Sequence, residues 1–451
     1  MVTIIASHTV IPEDATPQGC LWLSDIDQVV KLRHTQTIYI YKSKQNTDKA
    51  IETLKNSLSK ILVYYYPVAG RYCYKEGGRI ELNLNAKGAI LLEAETTKTI
   101  HDYGDFSPSD STMELVPIID YNQPVEDIPL FVVQLTRFQN KDEGLAIGIA
   151  YSHPLSDGLG AIRLINSWAK IARGETLEVN ELPFLDRTIL KFSHTPLVRF
   201  EHKELKPLPL ILGRKDTSEE KKKKTSATLL RLSPEQVDKL KKKANENDIL
   251  AIKNKGSRPF SRYEAISAHI WKCASRAREL EENQESVVRF NADIRTRLVP
   301  PLPKNYFGNA LTQTAAIGYV GEITSKPLGY VAQMIREATE LVSDEFIRSQ
   351  IDVIRGFEHL DDARKLFMGG VGENIPYFGN PNFNFTSWMS MPIYEADFGW
   401  GKPVYFGLAF VSPHDRAVIL HSPDGDGSVL VCLHFQIALL ELFKKFFYGD
   451  I

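Results

Sequence analysis

The chain has 451 residues, with 54 Lys and Arg against 56 Asp and Glu, for a formal charge of −2. A makeup of 43% hydrophobic and 24% charged residues is that of an ordinary globular protein and excludes general disorder. The balanced charge excludes a dedicated polyanion binder, so no nucleic-acid partner is expected, and the length predicts two domains.

Cys20, Cys73, Cys273 and Cys432 are scattered, with no C-x-x-C pair and no His at metal-ligand spacing. Reduced thiols are expected, with neither a disulfide framework nor a metal site. The stretch Met1 to His8 has no basic region followed by a long apolar one, so a secretory signal is not expected. No apolar run reaches the ~18 residues of a membrane helix. These features predict a cytoplasmic protein with no membrane partner.

In chain order, Thr37 to Tyr41 is β-branched and aromatic and predicts a strand. Ile51, Leu54, Leu58 and Leu62 recur at helical spacing, predicting a helix over 49–62. Residues 79–84 alternate apolar and polar as a half-buried strand does; 131–137 and 144–151 predict buried strands. A helix is predicted over 158–173, with Gly174 placed to terminate it. Between 201 and 226, Pro207, Pro209 and the run Lys221 to Lys224 predict a solvated linker. The second half restarts with a strand over 227–232. Ser233, Pro234 and Gln236 then supply an N-cap, a first-turn proline and a capping-box partner. Further helices are expected over 263–277 and 438–447, and strands over 287–293, 386–392 and 428–435. The resulting division is an N-terminal domain over 1–200, a linker over 201–226 and a C-terminal domain over 227–451. Both domains interleave strands and helices, which places the chain in the α/β (α+β) class.

Chemistry concentrates at Tyr151-Ser-His-Pro-Leu-Ser-Asp-Gly158. A buried strand exits at His153 and a helix opens at Asp157 and Gly158. Functional residues favour such exits, and a histidine there suits general-base work near neutral pH. Asp157 would either buttress the histidine or cap the helix. Near the C-terminus, Asp397-Phe-Gly-Trp-Gly401 shares Asp-Phe-Gly with protein kinases, but the chain has no glycine-rich phosphate loop and no His-Arg-Asp loop. A tight structural turn is the simpler reading. G-x-S-x-G is also absent, which leaves a serine-hydrolase elbow unsupported.

The H-x-x-x-D-G of His153 to Gly158, together with D-F-G-W-G at 397–401, resembles the plant BAHD family of acyl-CoA-dependent acyltransferases. Tyr65-Tyr-Pro-Val-Ala-Gly-Arg71, Phe260-Ser-Arg-Tyr-Glu264, Tyr306-Phe-Gly-Asn309 and Thr386-Ser-Trp388 resemble that family as well. The resemblance spans about Ile11 to Ile451. One departure is Ser152, where many members carry a second histidine.

The resemblance implies two chloramphenicol-acetyltransferase-like domains, each a mixed sheet with flanking helices, joined by a crossover loop and enclosing a channel. It implies no bound cofactor: acyl-CoA is a co-substrate that enters from one face while the acceptor enters from the other, and the protein acts as a monomer. His153 then takes the acceptor's proton during direct attack on the thioester. Asp157 pairs with Arg295 next to Gly158, and Asp397, Gly399 and Gly401 are structural. Trp388 matches an oxyanion donor. Ser261, Arg262, Asp293 and Arg297 match regions near CoA. His34, Thr37, Tyr39 and Thr386 match positions lining the acceptor pocket.

Shikimate-using relatives carry an arginine thirteen residues before the Thr of Thr-Ser-Trp, and here that position is Glu373. An acid there suits an amine acceptor. Ala172 to Glu175, Pro183 to Arg187 and Phe443 to Ile451 resemble spermidine hydroxycinnamoyl transferases in particular, so hydroxycinnamoyl transfer to spermidine is the expectation. Oxalyl transfer to a diamino acid such as 2,3-diaminopropionate, O-acylation of an alcohol, and a catalytically silent binding protein are the alternatives.

Overall fold

A computed structural model describes residues 1–42, 49–138, 144–192, 195–246, 258–368, 377–411 and 415–451. Two six-stranded mixed sheets organise it. In the first, the spatial order is Val2–Val10, Ala89–Thr96, Phe131–Arg137, Leu145–Ser152, His34–Tyr41 and Tyr405–Leu408. The second runs Leu311–Tyr319, Glu285–Asp293, Phe383–Ser387, Arg416–His421, Val429–Gln436 and Thr225–Leu232. The expected strands over 131–137, 144–151, 227–232, 287–293 and 428–435 are all present within a residue or two.

Period-2 alternation assigns the faces. In His34–Tyr41, Tyr39 and Tyr41 enter one apolar core with the helices Ala50–Tyr64 and Gly158–Ala172, while Ile38 and Ile40 enter a second on the opposite face. In Phe383–Ser387, Phe383 and Phe385 join the core under the helices Arg262–Arg278 and Leu328–Glu340, so Asn384 and Thr386 face the other way. Likewise Ala417 and Ile419 of the neighbouring strand are core residues, and Arg416 and Val418 are turned toward the first sheet.

Three expectations change. The strand anticipated over 386–392 stops at Ser387. Trp388 still donates its N–H to the Ile419 carbonyl at 2.8 Å, but the Met391 N–H then closes on the Trp388 carbonyl and Pro392 offers no donor to extend a ladder. The domain boundary is crossed, because Tyr405–Leu408 pairs antiparallel with His34–Tyr41 and completes the N-terminal sheet. The 201–226 segment is anchored: Glu220 is buried and accepts hydrogen bonds from Asn380 and Gln436, at 3.2 and 2.8 Å.

Candidate active site

The fully buried strand Leu145–Ser152 ends at the 3-10 turn His153–Leu155, and Asp157 caps the helix that follows. The backbone of His153 is fixed at both ends. Its N–H donates to the Arg33 carbonyl at 3.0 Å, and its carbonyl accepts from Asn309 Nδ2 at 2.9 Å. The imidazole Nδ1 is buried and makes no strict hydrogen bond. Burial holds the His153 pKa below the ordinary histidine value; its own backbone, Asp157 and Asn309 offset part of this.

The neutral imidazole is therefore the form present at pH 7. A base is active when unprotonated, so kcat/KM is expected to be flat above the lowered pKa and to fall only below about pH 6.5, the unshifted value. A pH–rate profile checks this, and an acid limb centred at or above pH 7 contradicts it.

Asp157 is 1% exposed and has every acceptor site engaged. Its Oδ1 takes the Gly160 N–H at 3.0 Å, its Oδ2 takes the Ala310 N–H at 3.0 Å, and Arg295 reaches Oδ2 at 2.9 Å. The expected Asp157–Arg295 pair is thus present, and the carboxylate is committed to the backbone and the guanidinium. A second buried pair lies below the turn: Arg187 reaches Asp27 at 2.9 Å and also donates to the carbonyls of Pro154 and Leu155. Asp27 in turn accepts two hydrogen bonds from Asn309, each 2.9 Å. Charged groups this deep are tolerated because each is paired and hydrogen-bonded.

His153 opens into a cavity of about 360 Å³ between the two sheets. Trp388 forms part of its wall and packs on Phe406, with ring centroids 5.5 Å apart. A Cβ at Gly158 would meet the Trp388 ring at 3.3 Å, so only glycine allows the indole its full approach to the helix start. Asp293, Arg295, Thr386 and His34 also line the cavity. His34 is spoken for: its ring nitrogens meet the Tyr121 hydroxyl at 2.9 Å and the Pro129 carbonyl at 2.8 Å, and burial pulls its pKa down to about 4.

Other expected site residues lie elsewhere. Thr37 and Tyr39 are fully buried and off the cavity wall, because strand alternation points Tyr39 into the core against Phe406 and Tyr41. Ser261 is an N-cap whose hydroxyl accepts from the Glu264 N–H. Arg262 borders the Gly427 turn. Arg297 donates to the carbonyls of Thr339 and Val342, closing the end of a helix. None of these three reaches the cavity wall. Glu373 lies outside the described residues. Asp397 behaves as the turn reading requires. It accepts from the Gly399 and Gly401 N–H groups at 2.8 and 3.0 Å, and both glycines have positive φ, +99° and +93°.

The structure adds residues the sequence did not single out for the site. Asp27, Arg187 and Asn309 hold the His153 turn, and Lys31, Arg33 and Arg416 line the cavity. Ser24 to Asp27 is a capping box, which is a signal for a helix start and not for a site. A separate three-stranded sheet, in the order Gly19–Leu21, Ile80–Leu84 and Arg71–Tyr74, gathers Cys20, Cys73 and Glu81, whose ligand atoms lie within 4.8 Å of one another, which the scattered spacing concealed. Glu81 is paired there with Lys75 at 3.4 Å.

A two-sheet α/β fold with a His-x-x-x-Asp turn opening into an inter-sheet cavity is that of a CoA-dependent acyltransferase. The model of the Transferase family matches residues 1–450, and the chain belongs to this family, the BAHD acyltransferases. It is 42% identical to hydroxycinnamoyl-CoA:piscidic acid hydroxycinnamoyltransferase of Actaea racemosa, over 100% of both chains. Shikimate O-hydroxycinnamoyltransferase of Nicotiana tabacum is 34% identical over 99% of both chains. Hydroxycinnamoyl-CoA:5-hydroxyanthranilate N-hydroxycinnamoyltransferase of Avena sativa is 33% identical over 98% of both. The fold matches vinorine synthase with a TM-score of 0.72 at 22% identity, covering 98% of this chain and 96% of that one. It also matches F. graminearum TRI101 complexed with coenzyme A and T-2 mycotoxin, with a TM-score of 0.74 at 17% identity, covering 94% and 96%.

Proposed function

We propose that the protein transfers a hydroxycinnamoyl group from CoA to a small acceptor by direct attack in a ternary complex. The observation that carries this reading is the neutral, backbone-clamped His153 sharing one cavity with Trp388, which closes over Gly158. His153 Nε2 takes the proton of the acceptor's amine or hydroxyl as the new bond to the thioester carbon forms. The C–S bond then breaks, and the thiolate leaves with the proton from the imidazolium. The Trp388 indole N–H serves as donor to the tetrahedral oxyanion, a contribution of about 3–4 kcal/mol where such a donor is well placed. Asp157 and Arg295 position the turn.

The relatives named above divide between N- and O-acylation. Their named acceptors, piscidic acid, shikimate and 5-hydroxyanthranilate, are carboxylic acids, which supports a small acidic acceptor over a polyamine. The spermidine reading rests on Glu373 and on the stretches that resemble spermidine hydroxycinnamoyl transferases, and carries less weight. Among the described residues no helix is long and apolar enough to cross a membrane, which is compatible with action as a cytoplasmic monomer on free CoA esters.

The test is a screen of purified protein with p-coumaroyl-, caffeoyl- and oxalyl-CoA against hydroxy acids, shikimate, 2,3-diaminopropionate and spermidine, read as thiol release. Acceptor-dependent release with a hydroxycinnamoyl-CoA is expected. Release with oxalyl-CoA alone, or none with any pair, overturns the proposal.

A further inference from the structure

Most buried arginines among the described residues have acidic partners, while Arg71 and Arg289 are held by backbone carbonyls. Arg187 pairs with Asp27, Arg278 with Asp415, Arg295 with Asp157 and Arg336 with Glu264. Arg416 is half-buried on the cavity wall and has no acidic partner among the described residues. It sits beside Asn384 in the parallel register and faces the cavity, two residues from the Val418–Thr386 pair. Its Nε is buried with no hydrogen-bond partner. Its chain neighbour Asp415 binds Arg278 at 2.5 Å, and no ion pair joins it to Arg416. Burial pulls the Arg416 pKa down to about 10, which leaves the guanidinium charged at neutral pH.

Arg416 has company on the cavity wall. The charges of Arg416 and Arg33 act with burial to lower the Lys31 pKa, so the three cations share one field. Arg33 stacks on the Tyr121 ring at 4.6 Å, and its carbonyl is the one that accepts the His153 N–H. The acids on the same wall, Asp157 and Asp293, both bind Arg295. Among the described residues, no carboxylate pairs with Lys31, Arg33 or Arg416. Like charges gathered at a partly desolvated wall repel, and an anion placed among them relieves that cost. The backbone link through Arg33 sets this positive wall at a fixed offset from the proposed base.

We propose that Arg416, with Lys31 and Arg33, forms a carboxylate-binding subsite for the acyl acceptor, so that the preferred acceptor is a small hydroxy- or amino-acid and a diacid is gripped better than a monoacid. The subsite rests on the acyl-transfer reading above and names its acceptor class. Arg416 presents a planar fork that matches a carboxylate bidentately, and the two neighbouring cations meet a second carboxylate. A polyamine, itself a polycation, is repelled by the same wall. Two other sources of anion exist, the CoA phosphates and the free carboxylate of a dicarboxylic acyl donor. Steady-state kinetics separates them from the acceptor.

The experiment compares the wild type with Arg416→Gln, Arg416→Lys and Lys31→Gln, all checked for a native melting profile. Acceptors are tartrate, malate, shikimate and spermidine, and donors are p-coumaroyl-CoA and oxalyl-CoA. Arg416→Gln is expected to raise KM for the carboxylate acceptors by about 10- to 100-fold, with KM for p-coumaroyl-CoA unchanged. Arg416→Lys should recover part of the loss, more for monoacids than for diacids. A rise in KM confined to p-coumaroyl-CoA assigns the cations to CoA phosphates and overturns the proposal. So does a rise confined to oxalyl-CoA, or a wild type that prefers spermidine. If no pair releases thiol, the acyl-transfer reading fails, and the subsite is still read by binding. Tartrate should raise Tm of the wild type and leave that of Arg416→Gln unchanged; no rise in the wild type overturns it.

Discussion

Replacing His153 with alanine is expected to lower turnover by about 10²- to 10⁴-fold, the usual contribution of a positioned general base, while leaving the fold intact. The second half of that expectation follows from where the hydrogen bonds lie. What ties residue 153 into the structure is backbone: its N–H to the Arg33 carbonyl and its carbonyl to Asn309. Alanine keeps both. The imidazole Nδ1 makes no strict hydrogen bond and has only a weak polar contact with the Asn309 side chain, whose amide keeps Asp27 and the His153 carbonyl, so little is lost with the ring. The side chain borders an open cavity, which limits the packing lost. Thiol release gives the turnover and a thermal melt gives the stability. Residual turnover in this variant should rise with pH as the acceptor deprotonates unaided. Wild-type-like turnover would remove His153 from the chemistry, and a large fall in Tm would make it a structural residue.

Much of the fold was legible because burial and period agree locally. Phe131–Arg137 and Leu145–Ser152 are buried along nearly their whole length; the second reads as a nearly continuous apolar run and the first opens on one, Phe131 to Val133. The strand Val2–Val10 did not read as one: it is an edge strand with mostly exposed side chains, so no apolar alternation marks it. The domain exchange at Tyr405–Leu408 was out of reach for a different reason. Four residues carry little pattern, and their pairing partner is more than 360 positions away in the chain.

For the site, the motifs led to His153, Asp157, Arg295 and Trp388, because motif residues reach the cavity wall or the ion pair behind it. They failed for Tyr39, where alternation in the strand decides the direction of the side chain and sends it to the core. They were silent on Arg416, an isolated charge in a strand of apolar residues. Only the structure, in which Asp415 binds Arg278, shows that this arginine has no acid to serve among the described residues.

Asp157→Ala separates a clamp from a catalytic relay, and it is expected to cost stability first. The carboxylate, 1% exposed, receives the Gly160 and Ala310 N–H groups and the Arg295 guanidinium. Alanine strands all three donors at once. Removing one partner of a buried ion pair typically costs about 3–5 kcal/mol, because the surviving charge is left desolvated. Loss of an N-cap alone costs about 1 kcal/mol, within that total and not added to it. Arg295 keeps Asp293 at 3.2 Å, but that partner is on the exposed side of the guanidinium and is a weak substitute.

Asp157→Asn is expected to lose less, since an amide oxygen still caps the helix while the charge is gone. Urea denaturation midpoints order the two variants, wild type above Asn above Ala. Turnover per folded molecule should fall with the shift of the helix start, because Gly158 sets the Trp388 approach. If Asp157→Asn instead kept wild-type stability and lost turnover as completely as His153→Ala, the carboxylate would belong to the proton path. With its acceptor sites already occupied by Gly160, Ala310 and Arg295, the structure gives it the clamp.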